Sequence, residues 1–495
     1  MFNINPLLLI DFYKATHDKQ FPKGMTKSVS YFTPRGSRVP RWNSVVFFGL
    51  QAFIKTYLID YFNKNFFGRS KDEVVNEYKH YMELTLGPGI ADSNKVAKLH
   101  DLGYLPIEIL ALPEGTVCPI KVPCFSITNT HDDFAWLPQA LESLISAEMW
   151  YPMVCATVSK TYRDIVNKYY DWTVDDSVPR SKALSNFDFR GDKGFDAALK
   201  SGSAWCTSFS LSATVPIVPY LEKMYPCDCT KEEVEFGGIS TEHSVMTSNF
   251  IIDKDERTFI KRLITEIYPK GNVSCVMDSY DYWNVIKNIL PSLKEEILGR
   301  DGTLLCRGDS GNPVEVVTNT VFELWNIFGG TVNSKGYRVL DPHVKAIYGD
   351  SITIERCEEI YQILTDNGFA CNNVTLGVGS YSMNGITIDG IPSPLTRDTF
   401  NAAIKCMDVV INGVEYSIFK DPKTDRESGG ENFKKSQRGA ILVENTGDTL
   451  VATDGLKYAD TLVSHNMLKP VFLNGSLLRN YTLKEVRANL NNGDF

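Results

Sequence analysis

The sequence predicts an α/β fold built on a parallel sheet, and three observations carry that reading. From about residue 150 to 410, short β-branched or apolar runs alternate with helical patterns. Each strand candidate hands over to a charged residue or a glycine. The chain of 495 residues is 43% hydrophobic and 22% charged, which excludes disorder and fibrous repeats.

Taken in order, the first 145 residues mix aromatic-rich apolar segments with turns, Val45 to Phe53 leading into an expected helix through Tyr57 and Tyr61. The clearest βα unit runs from Val344 to Gly368. Val344 to Tyr348 reads as a strand and Gly349-Asp350-Ser351 as a turn. Ile354, Cys357, Ile360, Tyr361 and Leu364 then recur at helical spacing, and Gly368 supplies the stop. The same pattern takes Val273–Met277 into Asp278, Thr303–Cys306 into Arg307 and Val374–Leu376 into Gly377. Beyond about 410 the rhythm breaks at Lys420 to Gly439, an expected surface loop carrying Gly429, Gly430 and the basic cluster Lys434 to Arg438. Short strands are expected from Ala440 to Val451. In a parallel α/β architecture the strand C-termini share one edge, so the handover residues converge on one mouth.

Lys and Arg number 51 against 60 Asp and Glu, a formal charge of −9 that argues against a general nucleic-acid or anionic-membrane surface. Any phosphate chemistry is therefore local. The apolar run Pro6 to Ile10 is short, lacks a basic flank and is cut by Asp11, so it reads as neither a signal segment nor a membrane span. Eleven cysteines, an odd count, are scattered rather than set at disulfide or zinc spacings. That points to a reducing, cytoplasmic compartment, with Cys227 and Cys229 in a surface turn.

The most informative stretch is Arg307-Gly308-Asp309-Ser310-Gly311-Asn312-Pro313. Asn312 suits a helix cap and Pro313 a first turn, so the loop offers free backbone N–H groups to a ligand above it. Such a helix start attracts phosphate, Arg307 adds a planar donor fork, and Asp309 is a natural acceptor for sugar hydroxyls. A plain capping turn is the bland alternative. Gly377-Val378-Gly379-Ser380 lets backbone approach a phosphate, although no complete dinucleotide fingerprint follows it. Arg35, Arg190, Arg397 and Lys405 are by themselves ordinary solvated cations. His243 lies in a polar interruption before a helix, and a carboxylate such as Asp278 within reach would fix its tautomer and make it a proton or phosphoryl acceptor.

With these residues in view, the chain resembles the nicotinamide phosphoribosyltransferases, type II phosphoribosyltransferases, nearly end to end. The landmarks are Asp11-Phe12-Tyr13-Lys14, Tyr31-Phe32 leading to Arg35, Phe48 to Gln51, Phe187-Asp188-Phe189-Arg190-Gly191, Glu242-His243-Ser244 and Asp278-Ser279-Tyr280-Asp281. The Arg307 to Pro313 loop, Asn333 to Tyr337, Gly349-Asp350, Leu395 to Asp398 and Phe419 to Pro422 complete them. The resemblance implies an irregular α/β barrel over 146–410 and a smaller, strand-rich domain formed by both chain ends, 1–145 plus 411–495. It implies phosphoribosyl transfer from phosphoribosyl pyrophosphate to nicotinamide in NAD salvage, by a homodimer with shared active sites. Magnesium is expected mainly through pyrophosphate, and ATP as a co-substrate.

By the same resemblance the pyridine ring stacks between Phe187 and the partner's Tyr13, with Arg307 near its amide and Asp11 in the substrate set. Asp309 and Asp350, after Gly349, lie near the ribose, and Gly379 and Ser380 receive the 5′-phosphate. Arg35, Arg190, Arg397 and Lys405 surround pyrophosphate, and His243, oriented by Asp278, is phosphorylated by ATP. Three departures stand out. Ala213 replaces the family's amide-selecting aspartate, Ser380 replaces a second phosphate-loop glycine before a longer stretch from Tyr381 to Pro394, and Gly308 replaces a proline. The sister reaction on nicotinate and a catalytically silent pyridine-nucleotide-binding relative are the alternative readings.

Overall fold

The computed structural model describes residues 3–423 and 436–491, so Gly429, Gly430, Lys434 and Lys435 of the expected loop lie outside the described residues. The chain divides into two compact units. One comprises Met1–Val154, Leu221–Cys227 and the chain from Leu395 onward; the other comprises Cys155–Tyr220 and Asp228–Pro394.

The second unit carries the alternation. Its strands are β1 (Leu184–Asn186), β2 (Leu211–Ser212), β3 (Ile239–Ser240), β4 (Val273–Val276), β5 (Leu304–Gly308), β6 (Val344–Tyr348) and β7 (Val374–Val378). They form one sheet in the order β2-β1-β7-β6-β5-β4-β3, with every neighbouring pair parallel. Read from β3, that order follows the chain around a ring with a gap between β2 and β3. The segment just before β3 closes the gap: Leu211 forms a parallel bridge with Phe236. The Ser212 N–H donates to the Phe236 carbonyl at 3.1 Å and the Phe236 N–H to the Ser210 carbonyl at 2.7 Å. An irregular α/β barrel is the result, as expected.

Burial explains why these strands hold. Leu304, Cys306, Ala346, Val374, Leu376 and Val378 have no exposed surface, and each large side chain so buried contributes about 1.5–3 kcal/mol. Helix α1 spans Phe195–Trp205, α2 His243–Asp253, α3 Pro313–Phe328 and α4 Ile354–Asp366. The face α4 buries is the one its spacing predicts, Ile354, Cys357, Ile360, Tyr361 and Leu364, and Gly368 follows at φ +72°. Asn312 caps α3, its side chain accepting the Val314 N–H at 3.0 Å, and Pro313 opens the helix.

Strand ends differ from the pattern by a residue or two. Arg307 and Gly308 still pair with Ile347 and Tyr348, and Gly377 and Val378 with Ser185 and Asn186, so ladder hydrogen bonds carry β5 and β7 past the residues that read as stops. β4 ends at Val276, one residue early.

The first unit holds an antiparallel seven-stranded sheet, ordered Val414–Ser417, Ala403–Ile411, Met25–Thr33, Phe125–Asn129, Ile107–Ala111, Lys469–Leu473, Ser476–Leu477. Both chain ends build it. Ala403–Ile411 pairs along Met25–Thr33, which keeps the residues after 394 with this unit and not with the barrel segment expected to run to 410. The earlier boundary falls at Val154, inside the helix Glu142–Thr173, and not at 145. Leu221–Cys227 joins the first unit because the Gln51 amide donates to the Met224 carbonyl at 2.7 Å and the Tyr225 hydroxyl to Glu114 at 2.7 Å. The helix expected through Tyr57 and Tyr61 starts at Leu50, and Ala440–Asn445 pairs with Leu450–Leu456. Among the described residues no helix is long and apolar enough to cross a membrane.

Candidate active site

The strand C-termini of the barrel bring the sequence-distant residues together. His243 opens α2 just beyond β3, Asp278 follows β4, Arg307 is the last residue but one of β5, and Asp350 follows β6. His243 Nε2 stands 3.0 Å from Asp278 Oδ1. The other oxygen of Asp278 accepts the Asp309 N–H at 3.0 Å and the Ser310 hydroxyl at 2.5 Å. Burial works to raise this carboxyl, but the Ser310 and Asp309 donors and the imidazole outweigh it and hold Asp278 below its ordinary value. An Nε2–H donated to a carboxylate leaves Nδ1 with the ring's lone pair, and the His243 side chain is half exposed while that of Asp278 is 3% exposed. The arrangement is a nucleophilic nitrogen held by a buried, ionised partner.

One strand along, Arg307 Nη2 donates to Asp309 Oδ2 at 3.0 Å and Nη1 to the Ser240 hydroxyl at 2.8 Å. Arg307 Nε, Asp309 Oδ1 and Ser279 Oγ are buried with no partner in the protein. Buried polar atoms left unpaired are costly, so a concentration of them at one edge fits a polar ligand.

Missing methyl groups shape the rim. A Cβ on Gly349 would stand 2.0 Å from Asp309 Oδ1, one on Gly379 2.0 Å from Asp350 Oδ1, and one on Gly191 2.0 Å from Ser380 Oγ. Gly377 touches backbone instead, its Cβ falling 2.5 Å from the Gly349 carbonyl. The turns after β5, β6 and β7 therefore close on one another. Beyond Ser380 the longer stretch forms the short helix Ser380–Asn384 and a hairpin, Gly385–Ile388 with Ile391–Pro394. Asp389 and Gly390 turn it at φ +51° and +79°.

At β1 and β2 the mouth changes character. Phe187 follows β1, its N–H donating to the Val378 carbonyl at 2.8 Å, and the turn Phe189–Gly191 presents Arg190 exposed. Asp188 between them is fully buried, and neither carboxyl oxygen has a hydrogen-bond partner. Burial first, then the nearby Asp192, pushes it up to about 7, against a smaller pull from Ser201 and Asn186 close by. Glu235, beside Phe236 at the barrel seam, is likewise pushed up to about 7 by burial, with Oε2 unpaired. Neither carboxylate was singled out by sequence; burial without a partner is invisible to motif reading, although Asp188 stands inside the Phe187 to Gly191 landmark.

The remaining expected residues belong to the first unit. Lys14, 4% exposed, binds Glu142 at 2.6 Å, and Lys405 lies 3.6 Å from the same carboxylate. Burial lowers Lys405 below its ordinary value, and Arg35 is lowered by burial and by Arg397. Arg35, Lys121 and Lys405 line a cavity of about 270 Å³ with an excess of positive charge. Asp11 accepts from the Ser143 hydroxyl, and Tyr13 is 60% exposed. Lys14 and Glu142 organise this cluster; Glu142 was not picked out by sequence, and Lys14 only as the end of the Asp11 to Lys14 landmark.

Residues 186–475 match the nicotinate phosphoribosyltransferase (NAPRTase) family, and residues 5–109 match the nicotinamide phosphoribosyltransferase N-terminal domain. The chain belongs to this family. Nicotinamide phosphoribosyltransferase of Acinetobacter baylyi is 37% identical over 520 aligned positions, covering 99% of this chain and 97% of that one. Its namesake from Xanthomonas campestris pv. campestris is 31% identical over 98% and 97% of the two chains. Among solved structures, nicotinate-nucleotide pyrophosphorylase from Pyrococcus furiosus superimposes with a TM-score of 0.57 at 15% identity, covering 99% of this chain and 95% of that one. Human nicotinic acid phosphoribosyltransferase does so with 0.56 at 14%, covering 98% and 93%. These two establish the family's shared fold, and the irregular barrel described above is that fold.

Proposed function

We propose that the chain is a pentosyltransferase that makes nicotinamide mononucleotide and pyrophosphate from nicotinamide and phosphoribosyl pyrophosphate, in a cytoplasmic NAD salvage route. The observation that carries this reading is the mouth of the barrel, where Arg307, Asp309 and Asp350 meet among unpaired polar atoms beside a carboxylate-held histidine. The Acinetobacter relative's name and the N-terminal domain match support nicotinamide as the base.

Displacement of pyrophosphate builds positive charge on the ribose ring, which Asp309 and Asp350 stabilise as carboxylates while binding its hydroxyls. Arg307 orients the flat base against Phe187, and the pyridine nitrogen attacks without needing a proton removed. Gly379 and Ser380 hold the 5′-phosphate through backbone N–H groups. Arg190, with Arg35, Arg397 and Lys405, holds the leaving pyrophosphate. Magnesium would be held mainly through pyrophosphate. Bound there, it neutralises leaving-group charge. ATP serves as a co-substrate: His243 Nδ1 bonds to the γ-phosphorus as the bond to the ADP oxygen breaks, and water later removes the phosphoryl group. The exposed Tyr13 suits a homodimer in which each active site borrows Tyr13 and Arg397 from the partner copy.

Competition of nicotinamide and nicotinate for limiting phosphoribosyl pyrophosphate tests the main reading. A larger kcat/KM for nicotinate overturns it, and no pyrophosphate from either base leaves a silent binding protein. His243→Ala is expected to abolish ATP hydrolysis while slow ATP-independent transfer persists; equal acid-labile phosphate on wild type and variant removes His243 from the mechanism. Mixed dimers of Tyr13→Ala and His243→Ala chains are expected to recover activity, and no recovery after demonstrated subunit exchange counts against shared sites.

A further inference from the structure

In the first unit, Lys121 sits in the left-handed backbone region at φ +72°. A Cβ is crowded there, and glycine or asparagine is the ordinary occupant. Two backbone contacts fix the corner: the Lys121 N–H donates to the Pro34 carbonyl at 2.7 Å, and the Val122 N–H to the Pro119 carbonyl at 3.1 Å. The first of them ties Lys121 to the residue before Arg35. A lysine kept where the backbone favours glycine calls for a reason, and strain of this kind gathers at binding sites.

The cavity of about 270 Å³ supplies the reason. Arg35, Lys121 and Lys405 line it, and among the described residues Asp454 is the one carboxylate on its wall. Asp454 Oδ2 already accepts the Arg438 N–H at 3.0 Å. Lys405 is 3.6 Å from Glu142, a carboxylate that Lys14 holds at 2.6 Å. The exposed Lys121 ammonium has no hydrogen bond or ion pair among the described residues. Repulsion adds to burial in lowering the other two cations, Arg397 acting on Arg35, and Arg35 with Lys14 acting on Lys405 against the pull of Glu142. A pocket walled mostly by one sign of charge focuses its potential on whatever enters. A single carboxylate would leave much of that charge unmet. A diphosphate brings several negative oxygens, enough for three separate cations to share.

We propose that Lys121 binds the pyrophosphate group, as the third cation of this cavity beside Arg35 and Lys405. The assignment rests on the transferase reading above for the substrate that carries the group, and it adds a residue that the resemblance does not supply. A lysine that only faced solvent would do nothing at this corner that glycine does not do with less strain.

The test compares wild type with Lys121→Asn, Lys121→Gly and Lys121→Arg in the full chain. Asparagine and glycine both suit the left-handed corner, so their Tm is expected to stay within about 2 °C of wild type. Titration of inorganic pyrophosphate with magnesium is expected to show affinity lowered about tenfold in both, and held within about threefold in Lys121→Arg, which keeps the charge. In turnover, the KM for phosphoribosyl pyrophosphate is expected to rise by about the same tenfold while that for nicotinamide stays within about twofold. Unchanged pyrophosphate affinity in the asparagine and glycine variants overturns the proposal. So does a loss matched by a lowered Tm in all three variants, which marks a structural corner. A rise confined to the KM for ATP gives the cavity to the triphosphate and overturns the assignment to pyrophosphate. Pyrophosphate binding that depends on Lys121, in a protein that transfers to neither base, upholds the contact and fails the transferase reading alone.

Discussion

Two sides of one barrel mouth treat the same chemical group in opposite ways. After β4, the buried Asp278 is surrounded by the His243 imidazole, the Asp309 N–H and the Ser310 hydroxyl, and is held below its ordinary value. After β1, the buried Asp188 has no hydrogen-bond partner and is pushed up to about 7. Exposure does not separate them, since both carboxyls are out of water. The difference lies in donors, and it teaches that burial alone does not decide a carboxyl's charge. Donors hold a buried carboxylate ionised; without them burial raises its hold on the proton.

The sharpest way to break this contrast is to unmake the side rich in donors. Asp278→Asn removes a charge that three donors share and turns one acceptor oxygen into a competing donor. ATP hydrolysis is expected to fall by about a hundredfold or more, with a much smaller loss of ATP-independent transfer. Steady-state release of ADP and of pyrophosphate, measured separately, decides it; equal losses would mean that Asp278 supports the whole mouth and not His243.

The glycine rim allows a finer cut. Gly377→Ala drives a methyl group into the Gly349 backbone, which cannot yield, and is expected to cost about 1–3 kcal/mol of stability. Gly379→Ala meets only the movable end of Asp350, so the fold should survive while Asp350 swings aside. The KM for phosphoribosyl pyrophosphate is then expected to rise about tenfold with Tm nearly unchanged. If both variants lose stability alike, the rim is scaffolding and not a substrate contact.

The smallest effect is the most specific to the Asp188 side. The Asp188 carboxyl moves from an ordinary value of 3.8 to about 7 on folding. Between about pH 4 and pH 7 the folded chain keeps a proton that the unfolded chain has released, so the stability from this group falls as pH rises through that window and is level above it. Asp192 on the same turn and Glu235 across β2 face it and add to the repulsion as they ionise. Removing the acid lifts the penalty only where it exists. The Tm advantage of Asp188→Asn over wild type should therefore be larger at pH 8 than at pH 5, by about 3 °C or more in melts of the ligand-free protein.

Much of the frame was legible because local chemistry and fold agreed. The α4 face, its glycine stop and the Asn312-Pro313 start each follow from a few neighbouring residues, and burial follows their pattern without exception. Strand ends were less legible, because Arg307 and Gly377 look like stops in sequence and are overruled by partners in β6 and β1. The segment from 395 to 410 reads as part of the alternation, yet its strand pairs with one near the N-terminus, a contact that no local pattern encodes. At the mouth, a histidine after a glycine turn and an aspartate after a strand were visible as types, and only folding could show them 3.0 Å apart. Asp188 and Glu235 escaped because nothing in a one-letter string distinguishes an acid in water from one whose carboxyl oxygens are buried.

The bridge between Leu211 and Phe236 gives the ring a clasp. Elsewhere each strand is held on both sides by continuous parallel ladders, so its amides are released only when the barrel as a whole comes apart. At the clasp, one bridge made of two hydrogen bonds completes the circuit. Parting it leaves all seven strands paired through their six ladders, a local opening far cheaper than global unfolding. In native-state hydrogen exchange the Ser212 and Phe236 amides should therefore trade their protons well before those of Cys306 or Ala346. The barrel behaves mechanically as a sprung collar, fastened at one point and stiff everywhere else.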